Sequence, residues 1–170
     1  MDSISVLTDK AKKGDVHAQN ELGFRYSTGD GVKKDFNLAF YWYKKAAEQG
    51  LAEAQFNLGQ MYHKGFGVKQ DHSKAFYWYK KAASQGLVRA YTQVGHCYFI
   101  GEGVAESDKN AFYWFYKGAE KGHDIAQYNL ARCYQYGLGV EQSHSKAIYW
   151  LKKSAAQGYK PAIELLKKIG

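Results

Sequence analysis

The chain has 170 residues, a single proline and 16% aromatic residues, which fits one folded domain and excludes a disordered or collagen-like chain. Its formal charge of +8 keeps acidic partners in view. No apolar run approaches the roughly 18 residues that span a bilayer. The amino end MDSISVLTDKAKKGD lacks the apolar segment of a secretory signal, so a cytoplasmic location is expected.

The elements follow a 36-residue clock. LAFYWYKKAAEQG at 38–50 returns as KAFYWYKKAASQG at 74–86, NAFYWFYKGAEKG at 110–122 and KAIYWLKKSAAQG at 146–158. Trp42, Trp78, Trp114 and Trp150 share one register, and a fixed period of this size identifies a repeat protein. Residues 3–14 read as the second helix of an earlier unit, with Val6 in the tryptophan register and Ala11 in that of Ala83. Four units follow, at 15–50, 51–86, 87–122 and 123–158. Residues 159–170 read as the first helix of a further unit, with Ala162 and Leu166 in the roles of Ala54 and Leu58. Pro161 falls in that helix's first turn, where a missing N–H does no harm. The expectation is a single all-α domain over 1–170, complete at both ends: four helix-pair repeats with a half-repeat at each end, stacked as a solenoid.

Within 51–86, Ala54, Leu58, Met61 and Tyr62 lie on one face of a helix, the A helix of the unit. GFGV then closes it, as GDGV, GEGV and GLGV do in the other units; two glycines at this spacing suit a helix stop and a tight turn. Asp35, Asp71, Ser107 and Ser143 are N-cap residues for a second helix, B. Ala75, Trp78, Tyr79, Ala82 and Ala83 share a face of B, and Gly59 and Ala83 let the two helices approach. Cys97 and Cys133 occupy one position in neighbouring units, at a helix spacing of about 8–10 Å that a disulfide does not bridge. Both are expected to be reduced packing residues.

The pattern A-x-x-x-L-G-x-x-Y-x-x-G-x-G-V, an N-cap, then K-A-F-Y-W-Y-K-K-A-A-x-Q-G resembles the Sel-1-like repeats, relatives of the tetratricopeptide repeats, over nearly the whole chain. Ala131 in place of a glycine, Gly118 and Ser154 in place of an alanine, and Leu151 in place of an aromatic are its departures. The resemblance implies a right-handed α/α superhelix that serves as a protein-binding scaffold, in roles that include neutralising partner toxins.

In stacked helix pairs the A helices line the concave surface, where outward positions that differ between units are free to serve a partner. Asn20, Phe24, Phe56, Gln60, His63, His96, Phe99, Tyr128, Arg132 and Tyr136 are the expected partner-binding residues. Phe24, Phe56, Phe99, Tyr128 and Arg132 lead, being aromatic or arginine anchors of the kind enriched at interfaces. On helix B the tryptophans are expected to face the core and the lysines water. Lys45, Lys81, Lys117 and Lys153 would then form an outer ladder, an alternative surface for a polyanion or an anionic membrane. The blander reading is solvated lysines whose stems cover tyrosine rings.

No catalytic, metal or cofactor motif emerges. The six histidines lack zinc-site spacing, and the GxGV turns lack the Lys-Ser/Thr of phosphate loops. SHSK at 143–146 fits S-x-x-K, but Ser143 holds the N-cap slot and no S-D-N or K-T-G accompanies it. The sequence reading is therefore a monomeric, non-enzymatic adaptor that binds a protein partner in its groove, nucleic acid being disfavoured. An inhibitor that occludes a partner toxin is the alternative within the binding class.

Overall fold

The computed structural model describes residues 3–169. Among these residues there are ten α-helices and no strand: α1 (Ile4–Lys12), α2 (Val16–Thr28), α3 (Phe36–Glu48), α4 (Ala52–Lys64), α5 (His72–Ser84), α6 (Val88–Ile100), α7 (Asp108–Glu120), α8 (Asp124–Tyr136), α9 (His144–Ala156) and α10 (Lys160–Ile169). None is long and apolar enough to cross a membrane. The chain divides into two compact units, residues 1–87 and 88–170. In the first, each helix from α1 to α5 packs on the next; in the second, the same holds from α6 to α10.

The local signals act as their chemistry dictates. Asp35 accepts from the Asn37 and Leu38 N–H groups (2.8 and 3.0 Å) to start α3. Asp71, Ser107 and Ser143 cap α5, α7 and α9 in the same way. Helix α4 stops at Gly65, in the left-handed region at φ 70°, whose N–H returns to the Met61 carbonyl. The second glycine of that turn answers a different need. A Cβ on Gly67 would overlap the Phe36 carbonyl, and one on Gly139 would overlap that of Asp108. Each turn thus lies against the start of the preceding B helix.

Close approach explains the helix A glycines and their exception. A Cβ on Gly23, Gly59 or Gly95 would stand 2.7 Å from the ring of Tyr43, Tyr79 or Phe115 respectively, closer than carbon atoms pack. Where Ala131 replaces the glycine, the aromatic is Leu151, and both are fully buried in one core cluster. The two departures are one compensated exchange of volume. Gly118 leaves room for Ala126, whose Cβ would lie 2.8 Å from an added methyl. Ser154, also fully buried, donates its hydroxyl to the Asp124 carbonyl at 2.7 Å, so its polarity is satisfied.

Buried glutamines form a second framework that the apolar period does not reveal. Gln55 donates to the Ala47 carbonyl (3.3 Å) and accepts from Gln85 (2.8 Å), which also donates to the Gly50 carbonyl (2.8 Å). Gln127 and Gln157 repeat the arrangement with Ala119 and Gly122. The intervening unit holds Tyr91 and Lys121 at these positions instead, and the Tyr91 ring packs 5.8 Å from that of Trp114.

Two packing expectations need correction. Val6 is 46% exposed and Leu7 is buried in its place, because α1 turns the next residue toward Leu22 and Trp42. The tryptophans and lysines of helix B are not on opposite sides. The ammonium groups of Lys81, Lys117 and Lys153 sit 5.3–5.7 Å from the ring centroids of Trp78, Trp114 and Trp150. A lysine three residues on reaches back along the helix surface, and Trp78 and Trp114 are only half-buried. Cys97 and Cys133 are buried free thiols, pushed up to about 12 mainly by loss of hydration, so thiolate chemistry is suppressed.

Candidate functional site

The A helices carry the candidate residues, and the structure sorts them. In the first unit Phe24 is 47% exposed, Asn20, Gln60 and His63 are half-buried, and Phe56 is only 5% exposed. Phe56 therefore does not present its ring to a partner as expected. It stands one turn before Gly59, where Tyr79 lies against the bare backbone, and packs 5.5 Å from that same ring. In the second unit His96 and Tyr136 are exposed, while Phe99, Tyr128 and Arg132 are half-buried. The Arg132 guanidinium lies 5.9 Å over the Tyr128 ring, and Tyr128 meets Tyr159 edge-on at 5.4 Å.

Each unit has a pocket on this face. The first, about 200 Å³, is lined by Ser27, Lys34, Phe36, Tyr43, Asn57, Gln60, Met61, Lys64 and Phe66. The second, about 140 Å³, is lined by His96, Phe99, Phe115, Asn129, Arg132, Cys133 and Leu138. Adding 72 to Ser27, Tyr43, Asn57, Gln60, Met61 and Phe66 gives Phe99, Phe115, Asn129, Arg132, Cys133 and Leu138. The same place in the repeat opens in both units. One wall is the ring held by a helix A glycine, Tyr43 over Gly23 and Phe115 over Gly95.

The first pocket is chemically distinctive. Phe36 and Phe66 stack with centroids 4.3 Å apart. Lys34 lies over the Phe36 ring at 4.7 Å and Lys64 over the Phe66 ring at 5.7 Å. Serine, asparagine and glutamine complete the lining. Sequence reasoning placed Gln60 here but missed Lys34, Phe36, Asn57 and Phe66. The variable residue inside GxGV was the available signal, reading Asp30, Phe66, Glu102 and Leu138 in an otherwise fixed turn.

The lysine ladder is self-engaged. Lys45, Lys81, Lys117 and Lys153 lie 5.8, 5.2, 5.3 and 5.0 Å over Tyr41, Tyr77, Tyr113 and Tyr149. Each tyrosine in turn meets the adjacent tryptophan edge-on. At the start of α8, His123 Nδ1 accepts from the Ala126 N–H at 3.4 Å and lies 3.0 Å from the Thr92 hydroxyl. An accepting Nδ1 puts the proton on Nε2, so Thr92 donates. Burial holds this histidine below its ordinary value, against the opposing effect of Asp124.

Helix pairs repeated with no strand among the described residues, joined by double-glycine turns and carrying variable pockets on one helix face, define an all-α repeat protein. The chain belongs to the Sel1 repeat family, whose profile matches residues 16–51, 52–87, 88–123 and 124–159. Proteins of this family generally mediate protein–protein interaction. A Sel1 repeat protein from Oxalobacter formigenes is similar at 37% identity and a TM-score of 0.90, over 96% of this chain and 66% of that one. A protective antigen of uropathogenic Escherichia coli is 34% identical at a TM-score of 0.54, over 96% of this chain and 43% of that one. This chain thus spans under two thirds of the length of both. An immunity protein of Pseudomonas aeruginosa shares the fold at 24% identity and a TM-score of 0.60, over 93% of this chain and 58% of that one. A comparison with curated proteins finds no match.

Proposed function

We propose that the chain is a non-enzymatic, monomeric cytoplasmic adaptor that binds a protein partner with the A-helix face of each unit. One observation carries the reading. Pockets 72 residues apart keep a glycine-seated aromatic wall and an asparagine, while their other linings differ: Ser27 against Phe99, Gln60 against Arg132 and Phe66 against Leu138. Stacking needs the shared residues; the differing ones are free to discriminate a ligand. Exposed Phe24 and Tyr136 and half-buried Arg132 belong to the residue types that anchor interfaces.

The rival surface, the lysine ladder, has its ammonium groups already over aromatic rings, an arrangement that accounts for them without a ligand. Affinity capture from the native source separates the two, using wild type, Phe24→Ala/Arg132→Ala and Lys45→Glu/Lys81→Glu. The A-helix variant is expected to lose the captured protein and the ladder variant to keep it; the opposite pattern refutes the reading. A captured toxin would make the role inhibition; the Pseudomonas relative that shares the fold is named an immunity protein.

A further inference from the structure

The geometry points to an anion-reading pocket in the first unit, formed by Lys34, Lys64 and the Phe36–Phe66 stack, which takes an aspartate or glutamate side chain of a partner's acidic segment. The inference rests on the proposal that the A-helix face binds protein, and specifies the partner's chemistry. Two ammonium groups approach one stacked ring pair, Lys34 over Phe36 and Lys64 over Phe66. Among the described residues that line the pocket there is no carboxylate. The nearest acid in sequence to Lys34, Asp35, is committed to capping α3. Both lysines are exposed and of like charge, so an opposite charge brought to their shared ring pair is favoured.

The rest of the lining is neutral and mostly polar, so the two lysines are its charged groups. The Ser27 hydroxyl donates to the Phe24 carbonyl at 2.8 Å and sits 3.4 Å from the Tyr43 phenol. Asn57 donates to Asn20 at 3.3 Å. A cavity of about 200 Å³ admits a single side chain. A nucleic acid is the poorer occupant, since its charge recurs every few ångströms and is matched by a continuous basic stripe.

The second unit supplies an internal control. Positions 72 residues on from Lys34, Phe36 and Lys64 are Glu106, Asp108 and Tyr136, so the stack and both lysines are absent there. The repeat framework does not demand the two lysines or the stack; of these two pockets only the first has them, and the second presents Arg132 and His96 instead.

The test is fluorescence anisotropy at about 50 mM salt, where screening is weak, with the full chain and short fluorescein-labelled peptides. One peptide alternates leucine with glutamate, a second leucine with glutamine, and a single-stranded oligonucleotide of equal charge is the third probe. Wild type is expected to bind the glutamate peptide about tenfold more tightly than the glutamine peptide and the oligonucleotide. Lys34→Glu/Lys64→Glu should abolish that margin, while Lys45→Glu/Lys81→Glu leaves it within about twofold. Both variants change exposed lysines, and far-ultraviolet circular dichroism checks that they fold. Equal binding of the two peptides, lost on Phe24→Ala, would overturn the carboxylate assignment and leave the A-helix proposal standing. A margin abolished by the ladder variant and kept by the pocket variant would overturn both. A preference for the oligonucleotide, or no binding of the glutamate peptide, would overturn the pocket assignment.

Discussion

The pockets of the two units are one architectural site with two chemistries. Tyr43 and Phe115 occupy the same wall, and Asn57 and Asn129 the same edge. Around them a Lys–Phe–Phe–Lys lining in the first unit gives way to Arg132, His96, Phe99 and Leu138 in the second. A repeat fold permits this because its stability comes from helix pairing and neighbour contacts. Rim residues contribute little to that pairing, so they diverge at little cost to folding. The wall changes only together with the residue behind it, because an aromatic ring there needs the space a glycine leaves.

The wall is therefore where the comparison breaks most severely. Gly95→Ala would force a methyl 2.7 Å from Phe115. Overpacking of this kind costs about 1–3 kcal/mol, offset by up to about 1 kcal/mol of helix propensity. A net loss of about 1–2 kcal/mol is expected in urea denaturation. Phe115→Leu should largely rescue it, reproducing the Ala131 and Leu151 pair that α8 and α9 already use. No rescue in that double variant would contradict the compensation argument.

Exchanging the linings sharpens the comparison at the next level. Lys34→Glu with Lys64→Tyr gives the first pocket the residues found 72 positions on. It is expected to weaken glutamate-peptide binding about tenfold, or roughly 1.4 kcal/mol, in anisotropy titrations. Stability should stay within about 0.5 kcal/mol, as for most surface changes. A folded chain whose affinity is unmoved would mean the basic lining does not read charge.

The smallest effect concerns how the two units cap a helix A. Asp15 accepts from the Ala18 N–H at 2.8 Å to start α2; His123 does the equivalent for α8 with a ring nitrogen. Burial depresses the folded pKa of His123, so its neutral form is the one that folding favours. Its contribution is complete above the ordinary histidine value of about 6.5 and declines as pH falls through that value toward the depressed one, because the unfolded chain protonates first. His123→Gln should flatten the fall in melting temperature between about pH 7.5 and 5.5. An unchanged slope would remove His123 as its source.

Much of the fold was legible because stacking repeats its demands. The 36-residue recurrence of Trp, Gly and N-cap residues located the helices and named the family. Features outside the apolar period were hidden. Gln55 and Gln85 are polar residues 30 positions apart that meet only once the helices pair. Lys81 carries its charge back over Trp78, a reach that a helical projection by Cα direction does not show. Phe56 was assigned to the surface by its position on the helix, and lies buried because Tyr79 extends across Gly59. The first pocket draws on residues from Ser27 to Phe66, so its Gln60 edge was anticipated and its Phe36–Phe66 stack was not.

The central claim is that partners engage the A helices and not the B helices. A photo-crosslinking amino acid placed singly at Gln60, at Arg132 and at Tyr77 tests it directly in the complex with a captured partner. The account predicts crosslinks from the first two positions and none from Tyr77, which is half-exposed on the B helix beside Lys81. Crosslinks from Tyr77 alone would contradict it and move recognition to the lysine face.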